Sequence, residues 1–390
     1  MRRHVLAAWG IVSLSGAVLG QGDDAARAYA TELARDAAGR TNLLAEESTI
    51  TFGGATQFRF SVNKRDDDGL DEDVTTGFHA RQTTAYATGA VDERFSYRVQ
   101  GNFASDGGGF SLEDAYVVYA VNDNWAIGVG QVYFPVLWEE HVAYQYGSLA
   151  AEPSAFESAF RVNRVQGAWA QYSSDDFRGW VAFHDGAGTL NTEFTSMAEA
   201  DYAFTARGEY KIDGSWDRFN DFTSFRGSEQ AAKVGVCAHY QGGGNTFGTA
   251  DMDVWLVTGD VQWEGDGWNA FAAGVYRGID PAGGDTLNDF GFVVQGGIFL
   301  TDEWELFGRY DAVFADDDRG AGTDDFHTLT VGVNHYFIPG SQAAKFTLDF
   351  QWFLDQQDAS IVPASTALGL LPSSEDGQFN INAQLQLVVR

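Results

Sequence analysis

Between Pro135 and Arg164 the chain sets carboxylates among aromatic rings and closes on two guanidiniums. Glu139, Glu140 and Glu152 stand with Trp138, Tyr144, Tyr146 and Phe156, and Arg161 and Arg164 end the stretch. Acids facing bases across a narrow aqueous passage create a transverse field, and such fields set ion preference. The pattern points to a constriction lined by Glu139, Glu140, Glu152, Arg161 and Arg164 rather than to bond-making chemistry. Residues for the latter are missing: the seven histidines form no His-x-x-x-His pair and no HExxH, so no zinc site is expected. Cys237 is a lone cysteine, and neither a Gly-x-Ser-x-Gly elbow nor a phosphate-cradling Gly-Lys-Ser/Thr motif occurs. Asp66, Asp68, Asp71 and Asp73 crowd around Gly69, and hard oxygen ligands at that density could hold Ca²⁺. Their spacing is not that of an EF-hand, so a solvated acidic loop is the simpler reading, and no other cofactor is expected. A formal net charge of −31 argues against a nucleic-acid partner.

The element that must position this stretch is read from the alternation around it. From Ser48 onward the hydrophobic period is two. Trp304, Leu306, Tyr310 and Phe314 oppose Glu303, Glu305, Arg309 and Asp311, and Phe379, Ile381, Leu385 and Leu387 oppose Gln378, Asn380, Gln384 and Gln386. One face stays apolar while the other carries charges and amides, which is how a strand divides lipid from water. About sixteen such segments occur, so the fold expected is all-β: a transmembrane antiparallel β-barrel over 48–390. Mean hydropathy of −0.22 and no long apolar run after the N-terminus exclude helical spans. Met1–Gly20 reads as a secretory signal peptide, and residues 21–47 as a short periplasmic helix with Tyr29, Leu33 and Ala37 spaced four apart. Connections after even strands are short, apart from Gly214–Gly227, and most of those after odd strands are long. That asymmetry puts both termini on the short-turn rim.

Carrying the strand phases inward places Arg59, Arg98, Arg178, Arg207, Lys211, Lys233, Arg277, Arg309 and Asp311 on the lumenal wall, where opposite charges can also neutralise one another. Trp125, Tyr133, Trp304, Tyr310 and Trp352 are expected in the interfacial aromatic girdles. The connection at 136–160 follows the fifth strand and is the one expected to fold inward.

Three stretches carry a resemblance. Glu113-Asp114-Ala115-Tyr116 with Val129-Gly130-Gln131 and Phe134-Pro135, then Trp304-Glu305-Leu306 with Arg309-Tyr310, then Leu329-Thr330 with Gly332, Asn334 and Tyr336, resemble segments of the phosphate-selective porin O and P family. The resemblance implies a homotrimeric, sixteen-stranded outer-membrane channel for small hydrophilic solutes or ions, with anions such as phosphate among them. Family members that select phosphate carry stacked Arg and Lys in the pore, whereas this chain has 24 basic residues against 55 acidic ones, and it ends in Arg390. The competing classes are a barrel enzyme, which would need a convergent constellation that is not visible, and an adhesin, for which Gln356–Asp376 is the one external candidate.

Overall fold

In a computed structural model, residues 48–66, 73–105, 109–246, 251–320, 322 and 325–389 are described. The signal peptide, the 21–47 helix, Asp68 and Asp71 lie outside them. Sixteen strands close into one barrel: β1 (Thr51–Lys64), β2 (Val74–Ala90), β3 (Phe95–Ser105), β4 (Gly109–Ala120), β5 (Trp125–Tyr133), β6 (Arg164–Ser173), β7 (Phe177–His184), β8 (Tyr202–Asp213), β9 (Ala231–Gly242), β10 (Met252–Gly265), β11 (Trp268–Pro281), β12 (Leu287–Phe299), β13 (Trp304–Phe314), β14 (Asp325–Tyr336), β15 (Ala344–Phe353) and β16 (Phe379–Val389). Each strand pairs antiparallel with its chain neighbour, and β1 closes on β16 with Gly54 opposite Val389 and Lys64 opposite Phe379. Closure leaves no sheet edge, which a lipid environment requires because it offers backbone N–H and C=O groups no partner.

The barrel is apolar outside and polar inside, as the alternation predicts. Along β16, Leu385 and Leu387 are exposed while Asn380, Asn382, Gln384 and Gln386 are buried. Inward side chains bond across strands, for example Gln57 Nε2 to Gln386 Oε1 at 2.8 Å and Asn382 Nδ2 to Asp349 Oδ1 at 3.0 Å. Turns on the short rim are closed by local side chains. Asn122 Oδ1 accepts from the amides of Asn124 and Trp125, and Asp92 Oδ1 from those of Arg94 and Phe95.

Trp125, Trp304 and Trp352 face outward as expected. Tyr133 does not: β5 is distorted at Gly130, whose φ is +132°, and Tyr133 beyond it turns inward under the Arg164 guanidinium, 4.2 Å from the ring centre. A Cβ at Gly130 would lie 2.1 Å from the Ala115 carbonyl, so the distortion depends on glycine.

Candidate functional site

The connection from β5 to β6 carries two short helices, α1 (Trp138–Tyr144) and α2 (Ala155–Phe160). Ser154 caps α2 by accepting from the Glu157 amide at 3.0 Å. Glu139 of α1 in turn accepts from the Ser154 amide at 2.9 Å and its hydroxyl at 2.5 Å, which joins the helices. Their apolar faces pack on inward wall residues: Val136, Leu137, Trp138, Val142, Phe156 and Phe160 share a core with Val293, Phe307, Val313, Phe326 and Phe353.

Polar anchors continue the attachment from β10 round to β2. Thr258 Oγ1 donates to the Val136 carbonyl (2.9 Å) and Trp138 Nε1 to Gln262 (3.0 Å). Arg277 donates to the Ala159 carbonyl (2.6 Å), Arg309 to the Glu152 carbonyl (2.8 Å), and Asn334 and Lys345 to the Leu149 and Ser148 carbonyls (3.0 and 2.6 Å). The Phe156 and Ala151 amides donate to Asp311 and Asp349 at 3.1 and 2.8 Å. Glu152 is gripped by Arg59 and by Arg81, whose Nη2 lies 2.9 Å from Oε2. Under α1, Lys233 Nζ sits 3.0 Å from the centre of the Trp138 ring, in a cluster where Arg178, Arg207 and Lys233 meet Glu209 and Asp260.

The short-rim connection between β8 and β9 enters the lumen from the other end. Its 3₁₀ turn Trp216–Asn220 buries Phe219; the Phe222 ring beyond it packs at a tilt with its centre 4.6 Å from that of Phe271, and Phe222 donates its amide to the Gly147 carbonyl at 3.0 Å. A Cβ on Gly147 would stand 2.5 Å from Asp221 Cβ, so the two connections meet where only glycine fits. Together they fill the lumen beside β9–β15.

A cavity of about 490 Å³ is left on the opposite side. Its wall includes Gln57, Arg81, Gln82, Asn102, Glu113 and Tyr133, and the facing surface is Glu140, Tyr144, Glu152, Glu157, Ser158, Arg161 and Arg164. Ala367 and Leu368 of the β15–β16 connection also line it, tied down by Arg59 Nη1 on the Ala367 carbonyl (2.7 Å) and Asn63 on the Gly369 carbonyl (2.7 Å). Gln356–Asp376, the stretch an adhesin would project outward, thus buries Ile361, Val362, Leu368 and Leu370.

Of the sequence-predicted constriction residues, Glu140, Glu152, Arg161 and Arg164 line this cavity. Glu139 does not; it is buried between α2 and Arg309, whose Nη1 lies 3.5 Å away. The expected wall charges point inward, but several are covered by the connection or neutralised. Arg59, Arg309 and Asp311 are buried beneath it, Arg207 joins the cluster under Trp138, and Arg277 pairs with Asp289 at 2.8 Å. Arg98 pairs with Asp114 at 3.2 Å, Arg178 with Glu209 at 2.5 Å, and Lys211 Nζ lies 5.6 Å from the Trp216 ring centre. Asp66 and Asp73, the described members of the early acidic loop, are exposed.

Two lining residues escape strand parity. Arg81 sits at a β-bulge opposite Gln57/Phe58, where the register steps from Ala80 to Gln82, so it and Gln82 both reach the lumen. Glu157 lies within the connection, to which alternation does not apply.

Charge at the cavity is uneven. Arg164 is buried against Asp114 (3.0 Å) and Glu113 (3.2 Å), and Glu152 is doubly paired. Burial alone would raise the Glu152 pKa, but Arg81 and Arg59 hold it below the usual carboxylate range. Glu140 and Glu157 are pushed the other way, first by burial; repulsion from Glu157 adds to the rise of Glu140, and repulsion from Glu139 and Glu152 to that of Glu157, against the pull of Arg161. Glu140 Oε2 is buried with no hydrogen-bond partner among the described residues. Arg161 is exposed to the cavity, and no carboxylate of the described residues comes within ion-pair distance of its guanidinium.

Among solved structures, the barrel is similar to an anion-selective porin from Comamonas acidovorans, at 12% identity over 88% of this chain and 100% of that one with a TM-score of 0.62. It is also similar to the outer-membrane OmpT of Vibrio cholerae, at 11% identity over 88% and 98% with a TM-score of 0.57. A trimer form of in-vitro folded OmpT from Vibrio cholerae gives 12%, 87%, 99% and 0.56. At these identities the likeness concerns the fold. No curated protein matches the chain at a significant level. The family model described as phosphate-selective porin O and P matches residues 53–360, so the chain belongs to that family of outer-membrane channels.

Proposed function

We propose that this outer-membrane channel passes small hydrophilic anions, phosphate-like ones included, through the passage between the β5–β6 connection and the β1–β4 wall. The observation that carries the reading is the asymmetry of charge there. Arg81, Arg161, Arg164 and Lys345 stand with Glu113, Glu140, Glu152 and Glu157 around the cavity. Formal charge balances, but Glu113 and Glu152 are paired to guanidiniums, burial raises the pKa of Glu140 and of Glu157, and Arg161 is an exposed cation outside any ion pair among the described residues. A mobile anion meets an unshared guanidinium, and a mobile cation meets no unshared carboxylate of equal exposure. Diffusion needs no cofactor, and the site's charges are bound to one another and to backbone groups rather than converging on a reacting atom, which favours passive transport over catalysis. Export by cleavage after Gly20 and assembly as a homotrimer complete the proposal; the trimer form of the Vibrio cholerae barrel is in keeping with the latter. The test is the reversal potential of single channels in a KCl gradient. A sign showing that chloride carries most of the current is expected, and a potassium-selective sign would overturn the anion reading.

A further inference from the structure

Where β14 begins and β15 ends, the fold brings together a constellation that the scattered histidines do not reveal in sequence. His327 and Asp325 lie two apart at the start of β14, and Asp355 follows the end of β15. One ligand atom from each falls within 4.8 Å of the others, the set found among the described residues. His327 Nε2 is 3.2 Å from Asp325 Oδ2, and Asp355 is fixed by accepting the His327 amide at 2.7 Å. An edge of about 3.3 Å is what two ligands 2.0–2.1 Å from a tetrahedral ion subtend, so the pair already stands at coordinating separation.

The imidazole is also held from outside the cluster. The Tyr310 hydroxyl bonds Nδ1 at 2.6 Å, while Tyr310 stacks on the ring at 5.9 Å and Phe314 meets it edge-on at 5.5 Å. With Nε2 as the ligand, Nδ1–H donates to the Tyr310 hydroxyl, and such a partner on the second ring nitrogen, holding the ring so that the first points into the donor set, is the support that metal-binding histidines ordinarily have. The three residues are half-buried, which leaves room for solvent to complete the coordination.

We propose that Asp325, His327 and Asp355 bind one divalent cation of the zinc class at the long-loop rim. One imidazole with two carboxylates suits a borderline ion such as Zn²⁺ better than Ca²⁺, which prefers oxygen donors throughout. Asp355 opens the connection whose Ala367 and Leu368 line the cavity, so the ion ties that connection to β14.

The test is calorimetric titration of the full-length protein in detergent micelles with ZnCl₂, and separately with CaCl₂, alongside His327→Gln and Asp355→Asn variants. Heat-modifiable migration shows that each variant is folded. One equivalent of Zn²⁺ bound at least tenfold more tightly by the wild type than by either variant, and in preference to Ca²⁺, is the expected result. Zn²⁺ affinity unchanged in folded His327→Gln, absence of a one-to-one phase, or preference for Ca²⁺ would each overturn the assignment.

Discussion

Replacing Arg161 with Glu should move the channel's ion preference toward cations without altering its architecture. The side chain is exposed within the cavity and forms no ion pair among the described residues, so its exchange breaks no anchor of the connection. An ion passing about 5 Å from a unit charge feels ~0.8 kcal/mol in a water-like medium, and charge reversal doubles this to about 1.7 kcal/mol. Screening over that distance at 0.1 M salt leaves about 1 kcal/mol for each ion, opposite in sign for anion and cation, so their permeability ratio changes by about 2 kcal/mol, or roughly thirtyfold. Planar-bilayer recordings in a KCl gradient read this directly as a displaced reversal potential, and raising the salt concentration should shrink the difference between variant and wild type. A reversal potential indistinguishable from wild type at low salt would refute the reasoning, because it would mean that permeating ions do not pass Arg161.

Three other outcomes are expected. Trp138→Ala removes a buried ring that packs in the connection's core and carries Lys233 on its face, and should cost about 3–5 kcal/mol, read as a lower temperature of heat-modifiable unfolding. Glu152 has a depressed pKa, so its contribution to docking the connection is present above its ordinary value, near pH 4.5, and is lost as pH falls through the lowered one; acidification through that lowered range should increase open-channel noise, and Glu152→Gln should be noisy at neutral pH as well. Glu140 and Glu157 have raised pKa values, so the opposite sign applies: as pH rises through the neutral range they ionise, adding negative charge beside Arg161 and lowering anion preference, and Glu140→Gln should flatten that dependence in reversal-potential measurements.

Most of the barrel was legible because a strand between lipid and water must alternate, and the sixteen segments obey that rule closely enough for strand count, facing and rims to follow from it. The position of the long connection after the fifth strand and its aromatic content were legible too. What alternation cannot express is where the period breaks. Arg81 escapes it because a bulge adds a residue to β2, and a count of two sends Tyr133 to the lipid side because the distortion at Gly130 is invisible to it. Residue type alone puts Glu139 with the constriction, yet helix geometry turns it onto Ser154 and Arg309 instead. The inward course of Gln356–Asp376 is held in part by bonds from Arg59 and Asn63, some three hundred positions away, and no local pattern records such pairs.

In the proposed channel the open passage runs between Ser158 on α2 and the β1–β4 wall, while the other face of α2 is sealed against β13. Single-channel conductance of Ser158→Cys, in a Cys237→Ala background that removes the buried native thiol, should fall when a charged methanethiosulfonate is added to the bath, because Ser158 lines the cavity. Ala155→Cys, fully buried against the wall, should not respond. Unchanged conductance in the Ser158→Cys channel together with block of the Ala155→Cys channel would place the passage on the β13 side of the connection instead.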